Sequence, residues 1–324
     1  MRVLITGASG FAGGHLARAC AVAGDEVLGV SRTGRLPRDL GDGLAGAQTV
    51  DLTDAGAVRA AVGAHSPKVV YHLAALSSVG RSWEEPARTV AENTATAVNL
   101  LEALRHEAPG ARVVWVSSCE VYGAPATLPV AEDAPLAPAN PYAVSKTAGD
   151  LLAGVYAAAH GLPLVRARPF NHAGPGQRPI FIFSSLARQA AEARLHGAAS
   201  IRIVTGNPDT RRDFTDVRDV VRAYRLLATD GEPRAVYNVS SGASVSAAEL
   251  VSLVAELIAP IEVEHVVDPA RVRAHEVMDL RGSHERLSAA TGWQPSIPLR
   301  STMADAIAWW EAELATPATM AGDR

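Results

Sequence analysis

The sequence predicts an α/β protein, a doubly wound parallel sheet with a smaller C-terminal α/β domain. Short β-branched runs recur through the first half at Val3–Thr6, Glu26–Ser31, Ala47–Asp51, Val69–Leu73, Val113–Ser118 and Leu164–Ala167. Between them lie segments with apolar residues at three-to-four spacing, among them His15–Ala23, Val90–Leu104 and Ala143–Ala158, the period of an amphipathic helix. The strands are apolar throughout, as in a sheet covered by helices on both faces. A length of 324 residues suits two coupled domains. The larger is expected over 1–169 with about 215–239, and the smaller over 170–214 and 240–315, with 316–324 as a tail.

The first strand runs directly into Thr6-Gly7-Ala8-Ser9-Gly10-Phe11-Ala12-Gly13 and a helix. Gly7 permits a tight turn, Gly10 lets a pyrophosphate reach the backbone, and Gly13 allows close packing of helix on strand. The helix N-terminus then faces the phosphates. This is a Rossmann dinucleotide site, with the spacing G-x-x-G-x-x-G. The second strand ends in Val30-Ser31-Arg32, where a ribose-binding acid would mark NAD. Ser31 and Arg32 suit a 2′-phosphate instead, so NADP(H) is favoured, with NAD(H) as the alternative. Thr33–Gly46, rich in Gly, Arg and Pro, is expected to be a surface loop. After the third strand, Asp51-Leu52 offers either a contact to adenine or a helix N-cap.

Beyond Pro169 the rhythm breaks. Asn171–Gln177 reads as an irregular loop, Ser184–His196 as a helix, Ile201–Val204 as a strand, Asp216–Ala228 as a helix and Val236–Val239 as a strand. Ser246–Ile258 is an amphipathic helix, with Ser246 and Glu249 spaced as a capping box. Ile261–Val267 alternates as a strand, and Arg300–Leu314 is the last helix.

Hydrophobic residues make up 48% and charged residues 20% of the chain, and the net charge is −4. This is a globular composition without the basic patch that nucleic acid or an anionic membrane requires. No apolar run approaches the roughly 20 residues of a membrane span. The two cysteines, Cys20 and Cys119, fit a reducing compartment. The chain begins without a secretory leader, so a cytoplasmic protein is expected. The ten histidines lack metal-ligand spacing, so no metal site is expected, and His72 is read as packing beneath the cofactor.

Only two of the 30 basic residues are lysines, Lys68 and Lys146, which makes Asn140-Pro141-Tyr142-Ala143-Val144-Ser145-Lys146 informative. Asn140 can cap a helix with Pro141 at its first position. Tyr142 and Lys146 then share one face. A nearby ammonium would lower the phenol pKa, making the pair an acid/base for hydroxyl–ketone interconversion. The fifth strand ends in Ser117-Ser118-Cys119-Glu120, at the ligand-facing end of a parallel sheet. Ser118 is placed to share a substrate oxygen with Tyr142, Glu120 to serve as a second base, and Cys119 to be a weak acid. Arg212 and Arg281, each before a predicted helix, carry guanidiniums suited to a diphosphate. Small residues at Ala143, Ala148, Ala153 and Ala157, with the apolar Val90–Leu104 helix, suggest a four-helix homodimer contact.

Together these residues resemble the extended short-chain dehydrogenase/reductase superfamily, in its nucleotide-sugar epimerase/dehydratase/reductase branch. The resemblance runs from the glycine loop to Thr291-Gly292-Trp293-Gln294-Pro295. Arg168–Gln177, Arg212–Val220, Asp268–Arg271 and Arg281–His284 are most similar to the GDP-4-keto-6-deoxy-D-mannose reductases. The resemblance implies an NADP(H)-binding Rossmann half, a nucleotide-sugar-binding half and a GDP-sugar partner. Its Ser–Tyr–Lys set falls on Ser118, Tyr142 and Lys146. It places Phe11, Ala12, Leu73, Ala74, Ala75, Asn93, Ser117, Pro169 and His172 around the cofactor. It places Ser77, Val79, Arg81, Asn171, Arg188, Arg212, Glu276 and Arg281 around the substrate. The superfamily's 4,6-dehydratases carry a catalytic glutamate where Glu120 stands and an acid where Cys119 stands, so reduction, dehydration and 4-epimerisation all remain open at this point.

Overall fold

The computed structural model describes residues 1–33, 44–272 and 277–316. Strand β1 (Arg2–Thr6) leads into α1 (Phe11–Val22), β2 (Glu26–Ser31), β3 (Leu44–Thr49), α2 (Ala55–His65), β4 (Val69–His72), a short α3 (Val79–Glu84), a long α4 (Pro86–Glu107) and β5 (Arg112–Val116). A 3-10 turn (Cys119–Tyr122) precedes α5 (Pro141–His160), β6 (Leu164–Pro169), β7 (Asn171–Ala173), α6 (Ile182–Leu195) and β8 (Ser200–Thr205). Then come β9 (Arg211–Asp216), α7 (Val217–Thr229), β10 (Val236–Val239), β11 (Ser244–Ser246), α8 (Ala247–Ile258), β12 (Glu262–Val267), β13 (Asp279–Leu280), α9 (Glu285–Thr291) and α10 (Leu299–Ala315).

Among the described residues, seven parallel strands form the main sheet, in the order β10-β6-β5-β4-β1-β2-β3. The register aligns the C-terminal ends: Thr6 lies beside Val30 and His72, Val116 beside Ala167, and Pro169 beside Val239. α1 and α7 cover one face, burying Leu16, Val220, Tyr224 and Leu227 against Ile5, Val114 and Val165. α2, α4 and α5 cover the other, around Leu100, Leu101, Trp115 and Ala153. A second core brings α6, α8 and α10 together over Ile203 and Phe214. Beside it, β9 pairs in parallel with β7 and β13 and antiparallel with β11, while β8 pairs in parallel with β12. The closing Trp293 is fully buried and donates to the Asp219 carbonyl at 3.0 Å. The Asp219 carboxylate in turn accepts from the amides of Ser296 and Ile297, each at 2.8 Å. No helix among the described residues is long and apolar enough to cross a membrane.

Local chemistry accounts for most element ends. Asn140 caps α5 by accepting from the Ala143 amide at 2.8 Å, and Gly161 ends that helix in the left-handed region. Ser246 and Glu249 make both bonds of a capping box on α8, at 3.0 and 2.7 Å. The cap of α2 is Asp54, which accepts from Ala57, so Asp51 is not a helix cap.

Several expectations need correction. Arg211–Phe214 does precede a helix, α7, as read, but with Thr215 and Asp216 it is itself the strand β9, which the sequence reading does not assign. It forms a strand because its charges are internally satisfied: Asp213 accepts from the Ser241, Gly242 and Gly282 amides. Asn171–Ala173, expected as irregular, pairs with that strand. Leu44–Gly46 belong to β3, while residues 34–43 of the expected loop and residues 317–324 of the expected tail lie outside the described residues. Ala143, Ala153 and Ala157 are buried in the chain's own core. The face that α5 exposes carries Val144, Leu151 and Val155 instead.

The turn after β1 tolerates no side chain at two places. Gly7 sits at φ +74°, and a Cβ there would lie 2.9 Å from the Ala74 amide nitrogen. A Cβ on Gly13 would fall 2.1 Å from the Gly7 carbonyl oxygen, closer than any packing allows. Gly13→Ala is therefore expected to lower stability by about 2 kcal/mol or more, read as a drop in denaturation midpoint, and to weaken dinucleotide binding with it.

Candidate active site

The C-terminal ends of the main sheet open into a cleft of about 1770 Å³ that continues into the second half of the chain. Its floor at one end is the glycine turn. The Gly7 amide donates to the Val30 carbonyl at 2.8 Å, and Gly10 caps α1 without a side-chain bond. The backbone is bare where a pyrophosphate would lie, and the first amides of α1 face it. Gly7, Gly10, Phe11, Ala12, Gly13, Ser31, Arg32, Asp51, Leu52, Leu73, Ala74, Ala75, Asn93, Ser117, Pro169 and His172 all line this cleft. Asn93 fastens the loop after β4 by accepting from the Leu76 amide at 2.8 Å, and it donates to Ser145 on α5 at 2.8 Å. His172 stacks on Phe11 with ring centroids 5.9 Å apart, joining the glycine turn to the second half of the chain. Asp51 accepts from the Thr53 amide and hydroxyl at 2.9 and 2.8 Å.

At the middle of the cleft, α5 presents Tyr142 and Lys146, and the loop after β5 presents Ser118 and Glu120. The Ser118 hydroxyl lines the cleft with the Tyr142 phenol and accepts from the Glu120 amide at 3.2 Å. Asn140 turns its other end toward Glu120, donating to the carboxylate at 2.9 Å. The Lys146 ammonium donates to the Val116 carbonyl at 2.6 Å. Burial raises the Tyr142 pKa above its ordinary value; the nearby Ser118 hydroxyl opposes this and the Glu120 charge adds to it. The expected lowering by Lys146 is not found, its ammonium being turned to the Val116 carbonyl, and the phenol keeps its proton at neutral pH. Burial depresses Lys146 to about 8, opposed by the Asp150 carboxylate one turn away. Beneath it, His72 is buried and pushed down to about 3, by burial first and then by the Lys146 charge, so it is neutral. It bonds Thr6 at 2.8 Å and packs on Trp115 with centroids 4.2 Å apart. Cys119 lines the cleft, but burial, with the Glu120 charge adding, raises its thiol well above the usual range. That makes it a poor proton donor.

On the substrate side, Ser77, Val79, Asn171 and Arg212 line the cleft. The Arg212 guanidinium is braced by the Arg211 and Val277 carbonyls at 2.7 and 2.8 Å. Three expected arginines do not line it. Arg81 points to solvent, 3.8 Å from Glu85. Arg188 pairs with Glu192 at 2.8 Å and lies over the Trp310 ring of α10. Arg281 is held beside Val130, whose amide donates to its carbonyl, with its Nε buried. Glu276 lies outside the described residues. The structure adds Trp83, Phe181, Asn207, Arg271 and Tyr224 to the lining. Exposed aromatics and a helix tyrosine have no local signature, although Arg271 stands in the Asp268–Arg271 stretch singled out above. The Tyr224 hydroxyl is buried without a protein partner, an orphan polar atom at the reacting end of the cleft.

A dinucleotide turn, a Ser–Tyr–Lys set and a long cleft reaching a second α/β unit define an NAD(P)-dependent nucleotide-sugar enzyme of the extended short-chain dehydrogenase class. The comparisons with known proteins narrow the class. The model of the GDP-mannose 4,6-dehydratase family matches residues 4–306, and the chain belongs to that family. It is 38% identical to a GDP-6-deoxy-D-mannose reductase of Pseudomonas aeruginosa, over 97% of this chain and 98% of that one. It is 32% identical to a UDP-glucose 4-epimerase of Mycolicibacterium smegmatis, over 95% of this chain and 97% of that one. The solved structure of the Pseudomonas aeruginosa RMD protein complexed with NADPH superposes with a TM-score of 0.81 at 35% identity, covering 97% of this chain and all of that one.

Lys146 allows a test of the site's electrostatics. Between pH 8 and the free-lysine value of about 10.5, the unfolded chain binds a proton at Lys146 that the native chain does not. Stability therefore rises with pH in that window, and the cost of the buried charge is fully present only below it. Lys146→Met is expected to match or exceed the parent in denaturation midpoint at pH 7. Measured from pH 7 to 10, its advantage should shrink above pH 8.

Proposed function

We propose that this chain is a nucleotide-sugar oxidoreductase that reduces an NDP-4-keto-6-deoxyhexose with NADPH, with a GDP-linked sugar as its substrate. The observation that carries the reading is that Tyr142, a phenol kept protonated by burial, lines one cleft with Ser118, Lys146 and the glycine turn. A ketone reduction needs an acid at the oxygen, and an alcohol oxidation needs a base. The identity to the GDP-6-deoxy-D-mannose reductase supports the substrate class, and NADPH in the RMD complex supports the coenzyme.

The bare glycine turn, Lys146 and the orphan Tyr224 hydroxyl fit a dinucleotide running from Arg32 to Tyr142. A reduced nicotinamide, when bound, supplies hydride to the carbonyl carbon. Ser118 holds the carbonyl oxygen, and Tyr142 gives it a proton. Lys146 then supplies positive charge near the transient phenolate, which reprotonates. Glu120, fixed by Asn140, positions sugar hydroxyls, and Arg212 takes the diphosphate. The first domain holds the coenzyme and the second the nucleotide sugar. We read the protein as a cytoplasmic homodimer of deoxysugar biosynthesis, joined through the Val144, Leu151 and Val155 face of α5. A second reading, a 4,6-dehydratase, has one observation in its favour: Glu120 is a cleft carboxylate beside Tyr142, where it could take the C5 proton.

Purified protein incubated with GDP-, dTDP-, UDP-, CDP- and ADP-4-keto-6-deoxy sugars and NADPH is expected to add two mass units to the GDP compound. Loss of eighteen units from a GDP-hexose would overturn the reductase reading in favour of dehydration. Tyr142→Phe should lose ~10²–10⁴-fold in kcat while its NADPH Kd, by titration, stays within about twofold. Glu120→Gln should retain at least about a tenth of the turnover, because no carbon–hydrogen bond of the sugar breaks in a reduction. No deuterium from D₂O should appear at C5 of the product by mass spectrometry.

A further inference from the structure

The adenosine end of the cleft holds a carboxylate that the neighbouring sequence does not supply. The end of β2 contributes Ser31 and Arg32 and no acid. In the fold, Glu92 reaches the same place from α4. Its Oε2 lies 3.6 Å from Arg32 Nη1, and both residues line the cleft. Its other oxygen accepts from Arg88 Nε at 2.7 Å, and Arg88 also pairs with Glu85 at 2.8 Å. Asp51, also in the cleft lining, feels the Arg32 charge as well. The guanidinium that faces a 2′-phosphate is thus shared with carboxylates.

We propose that Glu92 is the residue that sets the balance between NADPH and NADH at this site. The inference rests on the reading above that Arg32 faces the ribose 2′ position. With a 2′-phosphate bound, Arg32 turns from Glu92 to the phosphate, and the remaining carboxylate repels it. Arg88 holds Glu92 in place. With a plain ribose bound, the same carboxylate accepts from the 2′-hydroxyl, since an ionised carboxylate only accepts. This is the role of the acid that ends the second strand in NAD-binding Rossmann sites, here delivered from a helix. The subsite therefore discriminates less than Arg32 alone would. The two ion pairs of Glu92, with Arg32 and Arg88, are partly exposed and contribute little to stability, so the site can be altered without unfolding the chain.

Equilibrium titration of NADPH and NADH, and of 2′,5′-ADP and 5′-AMP as fragments that need no turnover, tests this on the intact protein at low salt. Removing one charge at this range is worth a factor of about five. Glu92→Gln is expected to tighten NADPH and 2′,5′-ADP by about that factor and to weaken NADH and 5′-AMP by about twofold to threefold. An unchanged ratio between the coenzymes, or an equal change in both, would overturn the role of Glu92. Arg32→Ala tests the underlying reading separately. If it leaves the ratio unchanged, the 2′ subsite is not at Arg32. If it collapses the preference for NADPH while Glu92→Gln does nothing, only the Glu92 proposal fails.

Discussion

The reacting end of the cleft depends on one buried carboxylate, that of Asp150. It has no exposed surface and lies one turn beyond Lys146 on α5. Arg168 on β6 meets both of its oxygens, at 2.9 and 3.0 Å, and Arg166 adds a third contact at 3.1 Å. Burial alone would raise its pKa, but the Arg168 hydrogen bond and the two guanidinium charges hold it below the ordinary value. Arg168 reaches on to the Tyr122 hydroxyl at 3.0 Å, and Tyr122 donates to Asn238 at 2.7 Å. One chain of bonds therefore locks α5, β6, the turn carrying Glu120 and β10 in a single arrangement. A buried ion pair of this kind is no great source of net stability, yet removing one partner costs about 3–5 kcal/mol. What it provides is placement: α5 cannot rotate, so Tyr142 and Lys146 keep facing the cleft.

Burial, more than any single charge, sets the protonation of the site. The same low-polarity floor raises Tyr142, depresses Lys146 and neutralises His72. These shifts follow one rule, that desolvation disfavours whichever form is charged. The result is a proton donor beside a positive charge only moderately held, above a neutral imidazole. Asn140 shows the economy of the arrangement. One side chain starts the helix that carries Tyr142 and also fixes the carboxylate of Glu120, so the two groups cannot shift independently.

The two halves of the molecule share an apolar cluster in which Cys119, Val121, Tyr122 and Val130 pack on Phe170 and Leu280, and they also meet beside the glycine turn. Phe11, the first residue after the glycine turn's cap, lies against His15 and His172. His15 in turn bonds the Pro175 carbonyl at 2.9 Å. The turn that would carry a pyrophosphate is thus in contact with the segment that opens the second half.

The sequence alone was enough for the features that local chemistry dictates. Glycines at 7, 10 and 13 give the tight turn between β1 and α1, and Tyr142 with Lys146 in a lysine-poor chain singles out the helix that lines the cleft. Apolar runs place the strands of the main sheet, and the capping box of Ser246 and Glu249 starts α8 as read. The tertiary structure decided what depends on distant partners. β9 has no element assigned to it from the sequence, and its Asp213 is satisfied by three amides from other loops. Arg81 and Arg188 are expected around the substrate until each proves to be paired with a glutamate on or beside its own helix. Glu92 has no signature near Arg32, because the two are brought together only when α4 packs beside the sheet edge. Residue spacing reports what neighbours along a strand or helix share, whereas a charge's partner across the fold is set by packing that no local window contains.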